Sequence, residues 1–313
     1  MSRHMRGGFG GHETFPFRYT WLKKAYDAVK ADPHAMSSED ALVPFGVGAN
    51  MVKSIRHWAL LCGVVEEDPE RALARPALRP TQAGQYFFDD GGWDPYLEDP
   101  ATIWWLHWQV ATNKEKAACW YYVFNKLPKA EFTKAELAEW VQRWLEGEDC
   151  RLPAASTLKR DIDCLVRMYV ATPRASRIPF EDTLDCPLAE LGLIREFETG
   201  GRYALDRGNP GHLPDEMVTY ALLASPKLKH TTARSIRIEE LAYGPETPGQ
   251  VFCLTEDALL PRLERLDSTT AGALSFDDTA GLRQVLVHSL PDPLDVLRAY
   301  YERRAPQHQK LAS

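Results

Sequence analysis

The chain has 313 residues, a net charge of −7, 44% hydrophobic residues and 26% charged residues. That length exceeds one small core and asks for two or three lobes. No apolar run reaches the ~20 residues of a membrane span, and the N-terminal MSRHMRGG lacks the apolar stretch of a secretory signal. The acidic balance excludes a uniformly basic nucleic-acid coat. The first 60 residues, however, hold eight Lys and Arg against five Asp and Glu, so a basic head sits on an acidic body. Cys62, Cys119, Cys150, Cys164, Cys186 and Cys253 are scattered, with no C-x-x-C pair. They read as reduced core thiols of a cytoplasmic protein, nucleoid-associated if it meets DNA. No low-pKa setting for a sulfur-carrying thiol is visible, at Cys62 or elsewhere.

Residues 9–24, FGGHETFPFRYTWLKK, place His12, Glu13, Arg18, Lys23 and Lys24 among aromatic residues, behind Gly7, Gly8, Gly10 and Gly11. The segment reads either as a glycine-rich arm entering an amphipathic helix with solvated charges, or as a His–Glu site backed by cations. The spacing of Trp21, Leu22, Ala25, Tyr26 and Val29 predicts a helix over 17–31. Ser37 to Asp40 offers capping chemistry for a short helix containing Ala41 and Leu42. A glycine turn over 45–50 leads into a helix from Ala49 to Cys62, ended by Gly63. Val47, Met51, Ile55, Trp58, Ala59 and Cys62 share its inner face; Asn50, Lys53, Ser54, Arg56 and His57 are expected to project outward. Val64-Val65 reads as a strand, 66–80 as a wing, and Thr81 as the cap of a helix ending at Phe88. Residues 37–90 thus read as a winged helix-turn-helix, a unit that serves either DNA contact or partner packing.

Ile103–Trp108 and Trp120–Phe124 read as two buried aromatic helices, with His107 as a core histidine. A second winged-helix-like unit begins at Phe132. Thr133 and Glu136 form a capping box, and Leu137, Trp140, Val141 and Trp144 make a stripe. Ser156 is the expected cap of a helix with Leu158, Ile162, Leu165 and Tyr169 inside, and Lys159, Arg160, Asp163 and Arg167 outside. Those charges are either a DNA-facing surface or a solvated face with internal ion pairs. A linker over 173–187, a short helix with a hairpin, and a third small α+β unit from Ser235 follow. The C-terminal helix spans 293–304. The expected fold is mainly α with small β wings (α+β), as tandem winged-helix-like units around an aromatic-rich helical core. The expected regions are 1–90, 91–172 and 173–313.

Three blocks, GHETFPFRYTWLKK, LVPFGVGANMVKSIRHWALLCGVV and DPYLEDPATIWWLHW, carry a resemblance. STLKRDIDCLVRMYV, DTLDCPLAELGLI, DTAGL and DPLDVLRAYY extend it over most of the chain. The sequence resembles the SspB-type component of bacterial single-strand (Ssp) DNA phosphorothioation systems, a family long labelled only as a domain of unknown function. The resemblance implies a DNA nickase that opens one strand of double-stranded DNA for replacement of a phosphate oxygen by sulfur. It implies a cysteine desulfurase, an ATPase and a pyrophosphatase-like protein as partners, in phage defence, and no membrane partner.

The resemblance brings no catalytic residues, so the site is chosen on chemistry. Hydrolysis of a phosphodiester needs an activated nucleophile, cations on the phosphoryl oxygens and help for the leaving oxygen. His12 is the candidate base or ligand of a divalent metal, Mg²⁺ or Mn²⁺. Glu13 is the candidate to share that metal or orient His12, and Arg18 with Lys23 and Lys24 to hold phosphate. Adjacent residues of an extended segment face opposite ways, so His12 and Glu13 need a turn to converge. Asn50, Lys53, Ser54, Arg56, His57, Lys159 and Arg160 complete the expected DNA contacts. No PD-(D/E)xK, H-N-H or GIY-YIG nuclease signature is evident. The competing reading is a non-catalytic DNA-binding scaffold that docks the sulfur-transfer proteins. A transcriptional regulator is the third, weakened by the lack of an evident effector domain.

Overall fold

The computed structural model describes residues 8–37, 45–71, 76–148, 150–171, 186–198, 201–208, 210–229, 234–279 and 281–308. The short helix expected at Ala41 and Leu42 and nearly all of the 173–187 linker lie outside them. The chain divides into two compact units, 1–206 and 207–313. The architecture is α+β: helices dominate, with small antiparallel sheets.

In the first unit, the stripe of Trp21, Leu22, Ala25, Tyr26 and Val29 is buried along helix α1, Trp21–Ala31. This helix starts later than the expected residue 17: Trp21 N first closes a turn on the Arg18 carbonyl, and the Thr20 carbonyl is the cap acceptor, from Lys24 N. Helix α2 runs Ala49–Leu61. Gly63 follows at φ +68°, the left-handed conformation that closes a helix at little cost for glycine. Strands β1, Val65–Glu67, and β2, Leu78–Pro80, pair antiparallel. Thr81 caps α3, Gln82–Phe88, by accepting from Gly84 N.

The aromatic core follows. Helix α4, Pro100–Ala111, and helix α5, Ala118–Asn125, are buried nearly all round. Asp99 caps α4, and Pro100 takes the first turn, where no backbone N–H is required. Trp58, Trp104, Trp105 and Trp120 are all buried, and a large apolar side chain so placed contributes about 2–3 kcal/mol. His107 is fully buried, with Nδ1 2.8 Å from the Tyr169 hydroxyl, as a core histidine should be.

Strand β3, Glu131–Thr133, leads into α6, Lys134–Gly147, through the expected capping box. Leu145 joins Leu137 and Val141 inside, whereas Trp140 and Trp144 stay half-exposed. Helix α7 spans Ala155–Tyr169. Its cap is Ala154, not Ser156: the Ala154 carbonyl already accepts from Thr157 and Leu158, which leaves Ser156 in the first turn. A 3₁₀ turn, Pro187–Leu191, precedes strands β4, Ile194–Glu198, and β5, Arg202–Leu205. β5 pairs with both β3 and β4, giving the order β3-β5-β4. Residues 194–205 therefore complete the sheet begun at 131 rather than the C-terminal region.

The second unit repeats that plan. Helix α8, Asp215–Ala224, and a short turn of helix precede β6, Ser235–Arg237. Helices α9, Ile238–Tyr243, and α10, Glu256–Leu263, then lead to the hairpin β7, Leu274–Thr279, and β8, Leu282–Val287. The order is β6-β8-β7, all antiparallel. Asp215 anchors the unit by accepting from Arg262 at 2.8 Å and Arg265 at 2.5 Å. Helix α11, Pro293–His308, closes it.

Candidate functional site: a loop tied to two cationic helices

The segment over 8–15 makes the turn that the glycines permit. Gly10, Glu13 and Thr14 take positive φ values of 75°, 48° and 74°. Two of these are not glycine, so the turn stores backbone strain that tertiary contacts must hold. Those contacts run to two helices. On α2, Trp58 Nε1 donates to the Phe15 carbonyl at 2.8 Å, and Ser54 donates to the same oxygen at 3.3 Å. On α7, Asp161 Oδ1 accepts from Gly10 N at 2.9 Å and lies 3.1 Å from His12 Nε2. Arg167 donates to the Thr14 carbonyl.

His12 sits inside this knot, 1% exposed, stacked on Trp58 and edge-on to Trp120 and His57. Its Nδ1 accepts from Thr14 N at 3.0 Å, so the proton resides on Nε2 and is donated to Asp161. Both ring nitrogens are engaged. Both are held within the knot, and neither nitrogen presents a lone pair outward. Nor do three His, Cys, Asp or Glu side chains converge as a metal set among the described residues. Burial pushes the Asp161 carboxyl above its usual range, and the hydrogen bonds from His12 and Gly10 oppose that shift. Asp161 Oδ2, Trp120 Nε1 and His57 Nε2 are buried without a protein partner.

The other expected residues divide. Glu13 is half-buried, with a carboxylate oxygen 3.9 Å from Lys53 Nζ at the loop's outer side. Asn50 and Lys53 are exposed on α2, and Arg56 stands 3.8 Å from Glu67. Ser54 is fully buried, which corrects its placement on the outer face: the loop covers that side of α2. Lys23 is bound to Asp27 at 2.5 Å and Asp90 at 3.3 Å. Burial works against its charge, but those carboxylates prevail and raise its pKa. Lys23 thus already has two carboxylate partners. Arg18 lies over the Trp21 ring and Lys24 is exposed on α1. Lys159 and Arg160 are exposed on α7.

Two hollows flank the loop. The first, of about 390 Å³, is lined by Gly8, Phe9, Gly11, Lys53, Arg56, His57, Leu60, Glu67, Glu115 and Lys116. Gly8 and Gly11 are required there by close approach: a Cβ would fall 2.3 Å from the Glu115 carbonyl oxygen and 2.4 Å from His57 Nδ1, respectively. Burial first, then His12 and Lys116, lowers the His57 pKa to about 3, so this imidazole is neutral. The second hollow, of about 300 Å³, is lined by Thr14, Lys134, Arg160, Asp163 and Arg167, with Lys134 paired to Asp163 at 2.7 Å. Asp161, Lys116 and Lys134 were not among the expected site residues. Asp161 had a signal, a lone carboxylate on the apolar stripe between Leu158 and Leu165. Lys116 and Lys134 had none, since only tertiary packing brings them to the loop. All six cysteines are buried, and burial raises the Cys62, Cys119 and Cys164 thiols, which opposes thiolate chemistry.

The family described as a protein of unknown function, DUF4007, matches residues 9–301. Two solved structures are similar over nearly their whole length. A magnesium-ion-bound SspB crystal structure is 31% identical, with 96% of this chain and 91% of that chain covered and a TM-score of 0.85. A second SspB crystal structure is also 31% identical, with 99% and 97% covered and a TM-score of 0.84. No curated protein matches the sequence.

Proposed function

The chain belongs to the SspB-type family DUF4007, and from that membership we propose that it is a DNA-binding protein of a phosphorothioate modification system that nicks one strand. The observation that carries the DNA reading is the pair of cationic helices α2 and α7, clasped by one loop and flanked by hollows bearing Lys53, Arg56 and Lys116 on one side and Lys134, Arg160 and Arg167 on the other. Arg and Lys so grouped suit the phosphates of a duplex. The order of strand, two helices and hairpin around α7, and the β1-β2 pair that follows α2, support reading these units as winged-helix-like, with α2 and α7 as the DNA-facing helices.

Nicking breaks a phosphorus–oxygen bond of the backbone as water attacks phosphorus and the leaving oxygen takes a proton. Of the expected catalytic trio, Glu13 reaches the cationic rim, so it is assigned the water-activating role, with Lys53 Nζ 3.9 Å from its carboxylate. His12 shapes the loop from within. A magnesium ion is bound in one SspB relative; His12 and Glu13 do not fit as its ligand pair here, because the His12 nitrogens are engaged and Glu13 faces Lys53. The second reading, a scaffold that docks the cysteine desulfurase, ATPase and pyrophosphatase-like protein on DNA, is favoured by that closed His12 ring.

Conversion of supercoiled plasmid to open circle, with Mg²⁺, Mn²⁺ or EDTA, tests both. Nicking by the wild type that Glu13→Gln loses while still binding DNA supports the assignment. Nicking retained in Glu13→Gln moves the site elsewhere. DNA binding without nicking under every condition supports the scaffold.

A further inference from the structure

The first hollow has an apolar floor and a charged rim. Phe9, Leu60 and the neutral ring of His57 supply flat or apolar surface, each half-buried. Lys53, Arg56 and Lys116 supply positive charge, offset by Glu67 and Glu115. Three cations against two carboxylates leave little net attraction for a bare anion. Glu67 lies 3.8 Å from Arg56, which reduces it further. Affinity at this place must come from contact with the floor as well as from charge. A nucleotide matches both demands, with a planar base for the floor and a phosphate for the rim. The volume, about 390 Å³, suits one such unit and not a paired step of duplex. The hollow is also rigidly walled: Gly8 and Gly11 bring the loop against the Glu115 carbonyl and the His57 ring with no room for a side chain.

We infer that the hollow between the 8–11 loop, α2 and the 115–116 turn is a pocket for a single unpaired nucleotide of a DNA strand, its base on Phe9, His57 and Leu60 and its phosphate toward Lys53 and Lys116. The inference rests on the DNA-binding reading and deepens it: the protein engages one displaced nucleotide besides the duplex surface. Taking a base out of the stack costs least where it is already unpaired. The full-length protein therefore prefers a duplex carrying a one-nucleotide bulge over the same duplex fully matched.

Fluorescence anisotropy with the two labelled duplexes measures that preference. About tenfold tighter binding of the bulged duplex is expected, in line with one base stacked on an aromatic surface. Phe9→Leu should lose the preference and keep the affinity for matched duplex; Phe9→Tyr should restore the preference. Thermal unfolding of each variant verifies that it is folded. Equal binding of the two duplexes by wild type, or a preference that Phe9→Leu retains, overturns the pocket alone. No binding of either duplex overturns the DNA reading and the pocket together. Free deoxynucleoside monophosphate is the remaining arm: weak competition supports a strand-borne nucleotide, and complete competition at micromolar concentration overturns it.

Discussion

At residue scale, His12 and Asp161 matter by being buried together. Each is 1% exposed, and Asp161 has one oxygen without a protein partner. Removing the imidazole leaves a buried carboxylate with only the Gly10 N–H, and breaking such a pair costs about 3 kcal/mol or more. His12→Ala should therefore lower the urea midpoint markedly, and loss of activity in that variant would report folding before chemistry. His57 gives a pH dependence. Its folded pKa, about 3, lies below its ordinary 6.5, so the unfolded chain binds the proton first. The stability it contributes is complete above pH 6.5 and is lost as pH falls toward 3, by up to about 1.4 kcal/mol per pH unit. Urea titrations at pH 7 and pH 5 should show that loss, and His57→Gln should flatten it.

At element scale, most helices were legible because their stripes and caps are local. The α2 limits, the Thr81 cap and the Thr133–Glu136 capping box follow from spacing alone. Thr133→Ala should destabilise the protein by about 1 kcal/mol, the usual value of a cap. The α1 start and the Ser156 cap were not legible in the same way. The first depends on a turn at Arg18 that precedes the helix, and the second on which of several adjacent residues leaves the helix. Gly84 shows the same limit: a Cβ there would meet the Val64 carbonyl oxygen at 2.0 Å, a close approach of α3 to the residue before β1 that composition does not announce. Gly84→Ala should cost about 1–3 kcal/mol by overpacking, read from thermal unfolding.

At the scale of the whole molecule, a chain of net charge −7 carries a local excess of cations in its first 60 residues. Lys53→Ala with Arg56→Ala should weaken DNA binding and reduce the slope of log affinity against log salt by about 2, close to one per lost phosphate contact. An unchanged slope would remove α2 from the DNA surface. The second unit has the strand order of the β3-β5-β4 sheet, yet its helix α10 begins with Glu256 and Asp257 and contains Pro261. Asp257→Ala should therefore leave DNA affinity unchanged, which a titration at the same salt would verify.

The sequence by itself determined most of the described helices, the aromatic core, the basic head and the family, because these rest on short-range periodicity, on composition and on long distinctive blocks. It also pointed to the GHETF segment. Only the tertiary structure decided what that segment does with its side chains. Asp161 stands 149 residues from His12 along the chain, and the hydrogen bond between them turns the ring inward. The same long-range closure buries Ser54, brings Lys116 to the α2 rim and sets Lys134 and Arg167 beside Thr14. A sequence pattern specifies which face of one helix is apolar; which loop covers that face is a property of the packed chain.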